Sequence, residues 1–133
     1  MIVRDWAPQL EILAHASTGG FLSHCGWNSC MESLSMGVPI AAWPMHSDQP
    51  MNTMLVTQEL KVGIAVREWA NRDELVSSNV IESAVRKLMV SKDGQDMRRQ
   101  AEELGIGVRQ AVVSKDGNSR AALESFVAHI SRS

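Results

Sequence analysis

Short apolar runs alternate with helical patterns along the first half of the chain. Three of these runs have the length and character of buried strands, and they cover residues 20–24, 38–43 and 63–66. Ile2 and Val3 have the same character and are expected to end a further strand. Strands that alternate with helices at this spacing predict βαβ units. The pattern therefore predicts an α/β fold with a parallel sheet flanked by helices.

The chain changes character from about residue 79 to residue 133. Apolar residues recur there only at helical spacing, on three successive faces, so three helices are expected. Two turn sequences, Asp93-Gly94 and Asp116-Gly117-Asn118, are expected to separate them. The second half of the chain is therefore predicted to be an all-helical segment.

Size and charge narrow the possible functions. The chain has 133 residues, which suits one domain, and a formal net charge of −2. No basic cluster extends beyond Arg98-Arg99, so nucleic acid is not an expected partner. No apolar run approaches the roughly 20 residues of a membrane helix. The only two cysteines, Cys25 and Cys30, are expected to be free thiols, which favours a reducing, cytoplasmic location.

A candidate anion site lies at the helix start that follows His24. Backbone N–H groups near Trp27, Asn28 and Ser29, with the positive end of the helix dipole, can hold a diphosphate without a metal. His24 can add a hydrogen bond. Alternatively, His24 is an ordinary strand-end histidine, and Asn28 or Ser29 only caps the helix. Gly37 is expected to end this helix in the left-handed conformation.

Side chains that could bind sugar hydroxyls are expected near this helix start. Glu32 lies one turn beyond Asn28, where its carboxylate can accept from two neighbouring hydroxyls such as those of a ribose. Asp48 and Gln49 follow a strand, at the carboxyl edge where open α/β sheets bind ligands. An aspartate accepts from hydroxyls, and a glutamine both accepts and donates. The alternatives are a solvated Glu32 and an Asp48 that serves only as a helix cap.

An aromatic side chain completes this set of candidates. Trp6 and Gln9 are expected just beyond a strand end, where an indole can stack on a flat base while the amide contacts the base edge. The competing interpretation is that Trp6 packs in the core. Singly these signals are weak, but together they predict a base stacker, an anion site and hydroxyl acceptors along one sheet edge.

Metal and thiol chemistry have little support in the spacing. The four possible ligands, His24, Cys25, Cys30 and His46, do not have zinc spacing, so no metal site is expected. Thiol-dependent chemistry at Cys25 stays open as a third hypothesis, although spacing indicates no partner for the nucleophile. Neither a G-x-G-x-x-G nor a Walker-type motif is present in the sequence.

The residues between Trp6 and Gln49 resemble the plant secondary product glycosyltransferase box, the signature of plant UDP-sugar-dependent glycosyltransferases of secondary metabolism. The stretch around Asp48 is similar to the zeatin O-glucosyltransferase branch, and residues 51–133 resemble the rest of the C-terminal part of such enzymes. The matching stretches are Trp6-Ala7-Pro8-Gln9, His24-Cys25-Gly26-Trp27-Asn28-Ser29, Glu32-Ser33, Gly37-Val38-Pro39 and Asp48-Gln49.

The resemblance implies a GT-B fold with two Rossmann-like lobes, of which residues 1–133 would be part of the C-terminal, donor-binding lobe. Strand four of that lobe would lack its neighbour here, so a three-stranded core with a loosely placed N-terminus is expected. The implied UDP-sugar contacts are uracil for Trp6, Ala7 and Gln9; diphosphate for His24, Asn28 and Ser29; the sugar-pocket wall for Trp27; ribose for Glu32; and glucose hydroxyls for Asp48 and Gln49.

The resemblance also implies an activity. The family transfers glucose from UDP-glucose to a small-molecule hydroxyl with inversion and without a metal or other cofactor. Its general base is a histidine in the N-terminal lobe, which also shapes the acceptor pocket, and no residue here corresponds to it. This chain would therefore supply the donor half of the reaction and be inactive alone. The alternative is a non-catalytic nucleotide-binding or interaction module.

Overall fold

The computed structural model describes residues 2–131 and has a small parallel sheet at its centre. The sheet has three strands in the order β1-β2-β3, formed by Phe21–Ser23, Ile40–Ala42 and Gly63–Ala65. Each strand begins level with its neighbour, so their carboxyl ends also lie at one edge. The predicted α/β class and three-stranded parallel core are confirmed. Met1, Arg132 and Ser133, the ends of the predicted region 1–133, lie outside the described residues.

Helices connect the strands and form the second half of the chain. A π-helical turn, Leu55–Glu59, directly continues the helix Gln49–Met54, and a short 3-10 helix, Trp69–Asn71, follows β3. Within residues 2–131, no helix has both the length and the apolar character that crossing a membrane requires. The α-helices are α1, Gln9–Ala14; α2, Trp27–Met36; α3, Gln49–Met54; α4, Ser78–Val90; α5, Lys92–Val113; and α6, Asn118–Ile130.

The sheet is covered on both faces because neighbouring residues of β2 point to opposite sides. Ile40 and Ala42 join a buried cluster with Leu34 of α2 and Ala101 of α5. Ala41 joins a second cluster that includes Leu88 of α4. Burial on both faces explains why this strand is apolar throughout and carries no polar alternation.

Two glycines let α2 pack closely against α5. Gly37 ends α2 in the left-handed conformation, with φ 72°, as the sequence predicted. A Cβ there would lie 3.0 Å from the Glu102 Cα of α5. A Cβ on Gly105 would lie 2.9 Å from the Gly37 backbone nitrogen. Gly105, which weakens α5 as an isolated helix, is therefore required by the contact between the two helices.

Two local predictions are wrong. Ile2 and Val3 form no strand and are exposed, because residues 2–5 find no partner in the sheet, which consists of β1, β2 and β3. Asp93-Gly94 is not a turn between helices. It lies in the first turn of α5, where the Gly94 N–H donates to the Ser91 hydroxyl at 3.0 Å, so Ser91 alone separates α4 from α5.

Candidate functional site

The loops that carry the candidate residues leave the same edge of the sheet. Ser23 and Ala42, the last residues of β1 and β2, are paired with each other. The chain continues from them through residues 24–26 to α2 and through residues 43–48 to α3. In a parallel sheet, these loops meet at the carboxyl edge, where open α/β folds bind ligands.

The N-terminus of α2 has no side-chain cap. Gly26 holds the cap position with extended backbone angles, and the first intrahelical hydrogen bond runs from the Cys30 N–H to its carbonyl, at 3.0 Å. The N–H groups of Trp27, Asn28 and Ser29 precede that bond and have no partner within the helix. The first turn also carries no acidic residue. The prediction of an Asn28 or Ser29 cap is therefore wrong, and no side chain of the first turn itself offsets the positive helix end.

The imidazole of His24 lies against this helix start. A Cβ added to Gly26 would be only 2.6 Å from His24 Nε2, so the ring occupies the space that any larger residue at position 26 would need. His24 is exposed, and its ring is accessible to a ligand at the helix end. Trp27 and Asn28, in the first turn, are exposed as well, with 49% of the Trp27 surface accessible.

A cleft of about 390 Å³ lies beside α2. Trp6 at its rim is 88% exposed, which rules out the core interpretation of this residue and leaves the indole face free. The carboxylates of Glu11 and Glu32 line the same cleft as this indole. The cleft is lined by Trp6, Ala7, Pro8, Gln9, Leu10, Glu11 and Glu32.

Hydrogen bonds tie this cleft to α2. The Gln9 amide nitrogen donates to Glu32 Oε2 at 2.8 Å and to the Ser29 hydroxyl at 3.2 Å. Gln9, which was predicted to contact the base, is thus adjacent to Glu32, predicted to bind the ribose, and to Ser29, predicted to bind the diphosphate. Glu32 is half-buried and held in place, so it is not the freely solvated residue of the alternative interpretation.

Gln49 has a different environment from the one its predicted role suggests. It is only 4% exposed, and its side-chain oxygen accepts from the backbone N–H groups of Met45 at 2.7 Å and His46 at 3.0 Å. These bonds close the loop before α3, in which Ser47 has a φ of +56°. The oxygen of Gln49 is thereby engaged, and its amide nitrogen is the atom left to donate to a ligand.

Asn52 connects the two loops at the sheet edge. Its side-chain nitrogen donates to Asp48 Oδ2 at 2.9 Å and to the Cys25 carbonyl at 3.0 Å. Asp48 occupies the cap position of α3 but makes no side-chain capping bond, so its carboxylate is oriented by Asn52 instead. Asn52 is not among the residues that the sequence predicted for the site. Its spacing of four from Asp48, which places the two on one helical face, was the available signal.

The two thiols are free and fully buried. Hydrogen bonding with Cys30 lowers the pKa of the Cys25 thiol, and hydrogen bonding with Cys25, together with burial, raises that of Cys30. Because the Cys25 side chain has no exposed surface, a substrate cannot reach it in this structure, which removes the basis for thiol-dependent chemistry. Among residues 2–131, no group of three or more His, Cys, Asp or Glu side chains is placed to bind a metal.

The model of the family described as UDP-glucoronosyl and UDP-glucosyl transferase matches residues 1–97. The chain belongs to this family. Among curated family members, zeatin O-glucosyltransferase of Phaseolus lunatus is 58% identical over 132 residues, which are 99% of this chain and 28% of that protein. Zeatin O-xylosyltransferase of Phaseolus vulgaris is 57% identical, over 99% of this chain and 29% of that protein.

Solved structures of the family share the fold. Phytolacca americana UGT2, complexed with UDP-2fluoro-glucose and pterostilbene, is 38% identical and gives a TM-score of 0.86 over 94% of this chain and 28% of its own. Medicago truncatula UGT71G1, complexed with UDP-glucose, is 34% identical, with a TM-score of 0.82 over 94% of this chain and 27% of its own. The predicted relation to a GT-B lobe is therefore confirmed, and the chain spans little more than a quarter of the length of these relatives.

Proposed function

We propose that this chain is the donor-binding part of a UDP-glucose-dependent glycosyltransferase that acts on a small-molecule hydroxyl acceptor. The uncapped N-terminus of α2 carries the proposal. Gln9 of the Trp6 cleft bonds to Ser29 in its first turn, which carries no acidic residue, and Asn52 joins Cys25, just before the helix, to Asp48. That order matches a nucleotide, a diphosphate and a sugar bound in sequence along one edge of the sheet.

The nucleoside half would occupy the Trp6 cleft. Uracil would stack on the free indole of Trp6, and Ala7 and Gln9 would contact its edge. Glu32 would accept from the two ribose hydroxyls, an arrangement supported by its place on the cleft wall. The Gln9 bond to Glu32 orients the carboxylate before the ligand arrives.

The diphosphate would sit at the start of α2. Backbone N–H groups of the first turn, with Asn28, Ser29 and His24, would bind its oxygens. The same groups would offset the charge that develops on the leaving UDP, a contribution that a bound metal ion could otherwise make. We therefore propose a metal-independent reaction without a cofactor.

The hexose would lie against Trp27, with Asp48 and the amide nitrogen of Gln49 contacting its hydroxyls. Relatives with nearly equal identity are a glucosyltransferase and a xylosyltransferase, so the donor sugar is the point that needs the sharpest test. We propose glucose, because the resemblance associates glutamine at position 49 with this sugar.

The transfer itself would proceed with inversion. A base in the N-terminal lobe would deprotonate the acceptor hydroxyl, which would attack the anomeric carbon as UDP leaves from the opposite face. The resemblance assigns that base to a histidine outside the donor lobe, so this chain should bind donor without turning it over. We propose a cytoplasmic location, which the two free thiols support.

The test is a titration of the chain with UDP, UDP-glucose, UDP-xylose and UDP-galactose. Tryptophan fluorescence and amide NMR monitor the binding. We expect saturable binding, with shifts at Trp6, His24 and Glu32, and tightest sugar-nucleotide binding for UDP-glucose. Binding of UDP that leaves these residues unshifted would contradict the site. Tighter binding of UDP-xylose would contradict the choice of sugar and leave the nucleotide site intact.

A further inference from the structure

Asn52 is a buried side chain with two polar partners on two different loops. It is 8% exposed, and one side-chain nitrogen reaches both Asp48 Oδ2 and the Cys25 carbonyl. A primary amide nitrogen carries two hydrogens, so it can satisfy both acceptors at once. No other side chain within residues 2–131 forms hydrogen bonds to both of these loops.

The bond to Asp48 fixes a carboxylate that would otherwise rotate freely. Asp48 is exposed, and capping does not restrain its side chain. With Oδ2 bound to Asn52, the second oxygen is the one available to a ligand hydroxyl. A hydrogen bond to a charged acceptor is roughly twice as strong as one between neutral groups, so this orientation is well maintained.

The bond to Cys25 fixes the peptide that leads into α2. Cys25 has a φ of +62°, a conformation that residues other than glycine seldom adopt and that surrounding contacts must maintain. Its carbonyl belongs to the peptide that joins it to Gly26, the residue on which the His24 ring rests. Asn52 therefore acts on the backbone of the diphosphate site as well as on the sugar site.

We propose that Asn52 is a positioning residue that couples recognition of the donor sugar by Asp48 to the diphosphate site at the start of α2. This inference rests on the proposed function, since it assumes that those two sites hold one UDP-sugar. Loss of Asn52 would free the Asp48 carboxylate and relax the Cys25–Gly26 peptide. UDP lacks the hexose that Asp48 would contact, so binding of UDP-glucose should depend on Asn52 more strongly than binding of UDP.

The experiment compares Asn52→Leu with wild type by calorimetric titration of UDP and of UDP-glucose. We expect the dissociation constant to rise about tenfold for UDP-glucose, corresponding to about 1.4 kcal/mol, and less than threefold for UDP. A purely structural role would weaken both ligands by the same factor, and that result would overturn the inference. An unchanged affinity for both ligands would also overturn it.

A double-mutant cycle tests whether Asn52 acts through Asp48. In an Asp48→Ala background, Asn52→Leu should weaken UDP-glucose binding less than threefold further, because the carboxylate it orients is gone and only its bond to Cys25 is lost. Full additivity would contradict the mechanism. The matched control is Thr57→Val in the π-helical turn that continues α3, where the hydroxyl donates to the Thr53 carbonyl of the preceding turn. It should leave the ratio of the two affinities unchanged.

Two further measurements distinguish a failure of this inference from a failure of folding or of the proposed function. If circular dichroism shows that Asn52→Leu does not fold, Asn52→Ser replaces it, since a serine hydroxyl is too short to reach both acceptors, and the same expectations apply. Failure of the wild-type chain to bind UDP would reject the proposed function. Wild-type binding of both ligands with an unchanged ratio in the variants would reject the coupling alone.

Discussion

The two sides of the proposed site, one expected to bind the nucleotide and the other the sugar, are built from different kinds of hydrogen bond. On the nucleotide side, Gln9 bonds to the side chains of Ser29 and Glu32 beside an indole that packs against nothing. On the sugar side, Gln49 and Asn52 are buried and bond to backbone groups of the neighbouring loops.

This difference determines whether a substitution on each side should weaken ligand binding alone or the stability of the fold as well. A pair of side chains at a solvent-facing cleft can exchange its bond for one to water or ligand, so its net contribution to folding is small. A buried side chain that satisfies backbone groups leaves them without partners when it is removed, at about 1–3 kcal/mol per group. Substitutions on the nucleotide side should therefore weaken binding, whereas those on the sugar side should also weaken the fold.

The largest effect is expected for Glu32→Gln. The carboxylate would accept from two ribose hydroxyls, and hydrogen bonds to a charged group contribute about 1.5–3 kcal/mol each. We expect UDP affinity to fall about thirtyfold or more, measured by titration calorimetry, while the free energy of unfolding changes by less than about 0.5 kcal/mol.

The control for this substitution is Glu11→Gln. Glu11 is exposed and lines the same cleft, so its replacement removes the same charge from the same cavity. It should change UDP affinity less than about twofold, because exposed charges interact weakly through water. Equal losses from both substitutions would mean that the cleft acts only through its overall charge.

The next effect concerns folding on the sugar side. Gln49→Leu removes the acceptor for the Met45 and His46 N–H groups and should lower the free energy of unfolding by about 2 kcal/mol. Urea denaturation measures this loss. Gln49→Glu keeps an acceptor oxygen in place and should retain most of the stability. A fully stable Gln49→Leu protein would show that the loop does not depend on this side chain.

The sequence predicted the sheet well and the loops at its edge poorly. Apolar runs bounded by glycines located all three strands, and Gly37 marked the end of α2, because these features depend on local pattern and on burial. The start of α2 was misplaced, since Asn28 and Ser29 are good caps by type, yet the chain puts Gly26 at that position.

The site could be predicted by residue type but not by contact. Trp6, Gln9 and Glu32 were grouped because each was expected to follow a strand end or a helix start. The structure places them around one cleft, although the strand expected before Trp6 does not form. The engaged oxygen of Gln49 and the bridging role of Asn52 were not foreseen. Both depend on loops with positive φ at Ser47 and Cys25, a conformation that these residue types do not predict.

A smaller loss of binding is expected for Trp6→Ala. Stacking of a base on an aromatic side chain contributes about 1–3 kcal/mol, so UDP affinity should fall about tenfold. The free energy of unfolding should not change, because Trp6 buries almost none of its surface. Trp69→Ala is the control, since Trp69 stacks on Arg72 away from the cleft, and it should leave UDP binding unchanged. A Trp6→Ala protein with wild-type affinity would remove the indole from the site.

The smallest effect tests the placement of His24 alone. Gly26 has φ −61° and ψ 146°, angles that alanine adopts without strain, so Gly26→Ala should not disturb the start of α2. The new Cβ would instead displace the His24 ring from its position 2.6 Å away. UDP affinity should fall about fivefold, corresponding to about one neutral hydrogen bond.

Two comparisons show whether this loss comes from His24. In a His24→Ala background, Gly26→Ala should have no further effect, because the side chain it displaces is absent. Gly107→Ala places a Cβ in open space on α5 and should leave binding unchanged while raising the free energy of unfolding by up to about 1 kcal/mol. If Gly26→Ala weakens UDP binding equally with and without His24, position 26 acts through the backbone of the helix start, and the imidazole has no part in holding the diphosphate.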